Sequence, residues 1–113
     1  MNDSSRTTDR RLHTRYNVQG PLSLGPGEEA AVLRDISMSG LSCLSPRPFD
    51  EMAVLEIGIP LPHRDGRTAQ FHASGAVVRC EPTDDGYQLG VFFTFVDTRN
   101  TRVLEDFIRE QSR

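Results

Sequence analysis

The chain contains no tryptophan and no lysine, it has only two cysteines, and it carries no apolar run approaching the length of a membrane span. A helix that crosses a bilayer needs about twenty apolar residues in succession, so no transmembrane segment is expected. Met1 to Arg15 is polar and lacks the apolar centre of a secretory signal, which makes a cytoplasmic location the expectation. Recognisable reaction chemistry is missing as well. His13, His63 and His72 are not at metal-ligand spacing, and there is no Cys-x-x-Cys pair. Ser37 is not set in a Gly-x-Ser-x-Gly elbow, and no phosphate-binding loop or dinucleotide fingerprint occurs. The expectation is a non-enzyme without metal or cofactor.

The charge is unevenly distributed. Formal net charge is −3 over 113 residues, yet Arg6, Arg10, Arg11 and Arg15 face only Asp3 and Asp9 in the N-terminal arm. A body this acidic is a poor partner for DNA or RNA, which draw most of their affinity from a broad basic face. A small anion meeting a local basic arm fits better. All thirteen basic residues are arginine. Three guanidinium groups at Arg10, Arg11 and Arg15 repel one another unless an anion sits among them.

Period-2 alternation dominates the remainder. Residues 1–9 read as a flexible tail and residues 10–113 as one domain. Tyr16 to Leu24 alternates, with Pro21 marking an edge strand or a break between two pieces. Residues 29–37 read as a strand with Ala31 and Leu33 on one face and Val32, Arg34 and Ile36 on the other. Asp35-Ile36-Ser37-Met38-Ser39-Gly40 then has the composition of a tight polar turn, and Leu41 to Leu44 returns. Ala53 to Ile59, Ala69 to Glu81 and Tyr87 to Phe95 supply three more strands. Hairpin signals occur at Arg64-Asp65-Gly66 and at Thr83 to Gly86.

Only the C-terminus changes period. Asp97 or Thr98 can cap a helix over 98–111 whose apolar stripe is Val103, Leu104, Phe107 and Ile108. About six short antiparallel strands and one helix are most economically buried as a small barrel. Phe71, Phe92, Phe93, Phe95 and Phe107 are expected to fill that core rather than to stack on bases. Cys43 and Cys80, both on strands, read as reduced buried thiols, and His63 and His72 as surface residues.

Two stretches could hold a ligand together. Arginine forks bind phosphate oxygens bidentately and can also meet the O6 and N7 edge of guanine. Asp35 can accept from a guanine N1 or N2 donor, the Ser37 hydroxyl can bond either way, and Gly40 admits close backbone approach. Each stretch also has a bland reading, as a solvated basic tail and as a plain turn.

Arg11-Leu-His-Thr-Arg15, preceded by Arg10, and Asp35-Ile-Ser37-Met-Ser-Gly40 resemble the RxxxR and (D/N)xSxxG signatures of the PilZ domain, in that order. Gly75-Ala-Val-Val-Arg79 and Tyr87 to Phe93 look like the later paired strands of the same family. Arg6-Thr-Thr-Asp-Arg10 also spells RxxxR, but its distance from Asp35 and its internal Asp9 make it the poorer candidate. The resemblance spans Arg10 to Arg109. It implies a six-stranded antiparallel β-barrel of the split-barrel type with a C-terminal α-helix, acting as a receptor for cyclic di-GMP. By it, Arg10, Arg11, Arg15, Asp35, Ser37 and Gly40 form the cyclic di-GMP site, and ligand alters contact with an effector protein not named by any residue here. The alternative is a PilZ-like adaptor that ignores nucleotide and contacts its partner constitutively.

Overall fold

The computed structural model describes residues 14–25 and 29–112. Arg10, Arg11, His13 and the tail at 1–9 lie outside the described residues. Strands β1 (Tyr16–Gly25), β2 (Glu29–Ile36), β3 (Gly40–Ser45), β4 (Val54–Pro62), β5 (Thr68–Thr83) and β6 (Gly86–Phe95) are followed by helix α1 (Thr98–Gln111). The strands close into a barrel in the order β1-β2-β3-β6-β5-β4, every neighbouring pair antiparallel.

The interior is filled by the alternating apolar residues of all six strands. Phe71 and Phe93 meet at a ring-centroid distance of 5.5 Å, tilted by 59°. Leu104 and Phe107 of α1 are buried, with Val103 and Ile108 at the margin, so the helix lays its predicted stripe on the barrel. Asp97 is the N-cap, its carboxylate accepting from the Asn100 amide at 2.8 Å. That bond holds its carboxyl below the usual aspartate value.

Four irregularities in register shape the surface. Arg34 is the unopposed residue where β2 pairs with β3, between Leu33 and Asp35. Val78 plays the same part where β5 pairs with β6, and Thr94 on β6 opposite Ser74 and Gly75. β1 carries an extra residue between Asn17 and Gly20. An inserted residue reverses the in-out sequence of everything after it. Ile36 therefore joins Ala31 and Leu33 in the core, correcting the expected face assignment. The aromatic expectation is corrected likewise. Phe71, Phe93 and Phe107 are core, whereas Phe95, beyond the Thr94 bulge, is 64% exposed and Phe92 is 54% exposed.

Pro21 does not break its strand. β1 runs through it, pairing with β2 on both sides of the proline and at Pro21 itself, opposite Val32. Pro60 and Pro62 likewise sit in the unbroken β4–β5 ladder, opposite Gln70 and Thr68. Among the described residues β1 and β4 pair where Ser23, Leu24 and Gly25 meet Gly58, Ile57 and Glu56. This is the short seam of the closure.

Cys43 is fully buried, and burial pushes its thiol up to about 12, so it stays protonated and inert; Cys80 is partly buried. His72 is exposed, while its backbone amide donates to Asn100 Oδ1 at 2.8 Å. His63 is half-buried rather than on open surface, donating from Nδ1 to Glu110 Oε2 at 2.8 Å, and Arg64 donates to the Glu110 carbonyl at 2.9 Å. These bonds tie both ends of α1 to the barrel.

Phe71→Ala is expected to lower unfolding free energy by about 3–5 kcal/mol, read from urea denaturation. The His63 bond holds the Glu110 carboxyl below its ordinary 4.5, so its contribution is complete above that pH and is lost as pH falls through the lowered value. Thermal melts in acid should show Glu110→Gln losing less stability than the parent between neutral pH and pH values below that range.

Candidate functional site

Register gathers the site on the outer wall of the barrel. Arg79 of β5 pairs with Gly90 of β6, Gly90 with Ser42 of β3, Ser42 with Asp35 of β2, and Asp35 with Asn17 of β1. These residues form one transverse row. By unbroken alternation Asp35 and Arg79 would point inward, after Leu33 and Val77. The bulges at Arg34 and Val78 put both outside.

Asp35 is fully engaged. Arg15 Nη1 donates to its Oδ1 at 2.6 Å, and Ser42 Oγ donates to its Oδ2 at 2.8 Å. Ser42 is buried and fixes the carboxylate from below, while the Arg15 side chain is 51% exposed and can leave. The loop between β2 and β3 stabilises itself. Ser37 N donates to the Gly40 carbonyl at 2.8 Å, and Ser39 N donates to Ser37 Oγ at 3.2 Å. Phe93 N then donates to the Ser39 carbonyl at 2.8 Å, anchoring the loop to β6.

Gly40 is required by this approach. A Cβ there would collide with the Val91 carbonyl oxygen, which is backbone and cannot turn aside. Ser37 is fully buried, and its hydroxyl is spent within the turn.

Arg15 and Gly40 line a cavity of about 220 Å³ whose other walls include Ser39, Val78, Arg79 and Phe92. Of the residues singled out in the sequence, Arg15, Asp35, Ser37 and Gly40 thus lie together. Arg15 and Gly40 face the cavity, Asp35 holds Arg15, and Ser37 supports the loop. Arg10 and Arg11 fall outside the described residues. Ser42, Arg79 and Phe92 were missed. The available signal for Arg79 was a single charge closing the apolar run Ala76-Val77-Val78. Among the described residues no cluster of three or more His, Cys, Asp or Glu could hold a metal ion, and no helix is long and apolar enough to cross a membrane.

A small closed barrel with an arginine ion-paired beside a cavity on its wall has the form of a ligand-binding module. The chain belongs to the PilZ domain family, whose family model matches residues 5–110. Similar solved structures agree in fold. The Bacillus subtilis inhibitor of motility, MotI/DgrA, superposes with a TM-score of 0.76 at 19% identity, over 91% of this chain and 51% of that one. PlzA of Borreliella burgdorferi, solved in complex with c-di-GMP, gives 0.60 at 12% identity, over 93% and 43%. YcgR of Escherichia coli, also in complex with c-di-GMP, gives 0.60 at 18% identity, over 92% and 46%. The chain spans about half the length of each. No curated protein matches it.

The Arg15–Asp35 pair is solvent-accessible, so it should add little to stability. Arg15→Ala, which leaves the Asp35–Ser42 bond in place, is expected to shift unfolding free energy by less than about 1 kcal/mol. A denaturation curve showing a loss of several kcal/mol would instead make the pair a structural strut.

Proposed function

We propose that this chain is a receptor for cyclic di-GMP, bound at the outer wall where Arg15, Asp35 and the loop at Ser37 to Gly40 converge. The observation that carries the reading is the exchangeable guanidinium. Arg15 is held against Asp35 at the mouth of a cavity, with enough exposure to transfer to a phosphate. Membership of the PilZ family supports the choice of ligand, as do the two c-di-GMP complexes among the similar structures.

The ligand phosphates attract Arg15 together with Arg10 and Arg11 of the preceding arm. Each charge-assisted bond contributes about 1.5–3 kcal/mol, against the 8 kcal/mol or so that a micromolar complex requires. Holding each arginine side chain in one geometry costs up to about 2 kcal/mol, so the three guanidinium contacts alone fall short. The surplus comes from groups already fixed. Asp35, steadied by Ser42, becomes an acceptor for a guanine N–H once Arg15 has moved, and the rigid loop presents its backbone edge.

The signal has a physical outlet. Tyr16 follows Arg15 directly, and its hydroxyl lies 2.9 Å from Ser112 Oγ at the end of α1. Movement of Arg15 toward a phosphate strains that bond and alters the surface formed by β1 and the helix, where an effector protein reads it.

Constitutive adaptor function is the second reading, favoured by Met52, Val54 and Phe95 standing exposed on the barrel. Calorimetric titration separates the two. Cyclic di-GMP should bind at micromolar concentrations at which GTP and cyclic GMP do not, and Arg11→Ala, Arg15→Ala and Asp35→Ala should each weaken binding about ten-fold or more. Unchanged affinity in both arginine variants would sink the site assignment, and no heat with the parent chain would leave the adaptor.

A further inference from the structure

Phe92 is an aromatic residue in a place that burial does not explain. It projects from β6 into the cavity wall, half-exposed, on the strand row shared with Gly40 and Ala76. The adjacent row on the same face carries Arg79 opposite Gly90. Gly90 leaves that surface open, since a side chain there would stand 3.8 Å from Arg79 Nε and 3.7 Å from Val78 Cγ2. The guanidinium of Arg79 therefore lies across a glycine, with the Phe92 ring two residues further along β6. Arg15 closes the far side of the cavity.

A phosphate has no use for a half-exposed ring in a cavity that two arginines also line. A nucleobase does, because its flat π-face stacks on aromatic and guanidinium planes while its polar edge meets the arginine donors. Among the described residues, Phe92 is the exposed aromatic side chain that shares a cavity with two arginines. The volume also discriminates. At about 220 Å³ the cavity is smaller than the ~300–1,000 Å³ of sites that enclose a whole small molecule, so it holds one base and leaves the rest of a dinucleotide outside.

We infer that Phe92, flanked by Val78 and Arg79, is a purine-stacking platform that receives one base of the nucleotide, an assignment that rests on the receptor reading above. The phosphates then lie toward Arg15 and the arm, and the platform supplies selection for a base. Loss of the ring lowers affinity without removing the charges that attract the ligand.

The chain has no tryptophan, so Phe92→Trp installs a single indole fluorophore at the proposed stacking position. Its emission should fall on adding cyclic di-GMP, and also with millimolar 5′-GMP, but not with inorganic phosphate. Val32→Trp, on the outer face of β2 away from this cavity, should stay bright. By calorimetry Phe92→Ala should bind cyclic di-GMP about ten-fold or more weakly, with Phe92→Trp restoring affinity and both melting close to the parent. If the parent chain binds and Phe92→Ala binds equally well, the platform is wrong and the receptor reading stands. Quenching of Phe92→Trp by 5′-GMP in a chain that ignores cyclic di-GMP keeps the platform and removes the receptor reading. Neither binding nor quenching overturns both.

Discussion

Alternation in a β-strand is a parity rule, and a closed barrel enforces it because every inward position must be apolar. One inserted residue is the way to change the parity without opening the wall. This barrel uses that device at Arg34 and Val78, and the whole outer site depends on it. Without the two insertions Asp35 and Arg79 would be aimed into the apolar interior, where a charge cannot be held unpaired. With them, the interior stays apolar and a row of polar groups stands on the outer wall.

The chemistry placed there is divided by mobility. Ser42, the self-bonded loop at Ser37 to Gly40 and the β6 backbone are rigid, each secured by buried or backbone hydrogen bonds. Arg15 is an exposed side chain whose ion-pair partner among the described residues is Asp35. A pair of that kind contributes little to folding, so it can be exchanged for a ligand contact without endangering the barrel. Tyr16, the next residue, bonds Ser112 just beyond α1, a helix itself tied to the barrel through Asn100 and Glu110.

Much of this could be read directly from the residues. The strand sequence, both hairpins, the Asp97 cap and the helical stripe follow from local patterns with local causes, whereas the meeting of Arg15 with Asp35 was legible from the complementary chemistry of two stretches twenty residues apart. What escaped was everything downstream of a bulge. A period-2 pattern does not announce where a residue is skipped, so Ile36 was placed on the wrong face and Phe95 was counted as core. Arg79, Ser42 and Phe92 escaped for a related reason: their significance lies in register between strands far apart in the chain. Pro21 misled because a proline is harmless wherever its nitrogen faces a side with no bond to lose.

Along the β1–β4 seam the backbone beyond Ser23 and Gly58 meets no partner strand, which in most sheets would invite an extended segment of another molecule to pair there. Pro21, Pro60 and Pro62 withhold their donors along that gap, so an incoming chain finds carbonyls but no regular ladder to complete. A seam this short therefore offers a strand from outside few donors with which to extend the sheet.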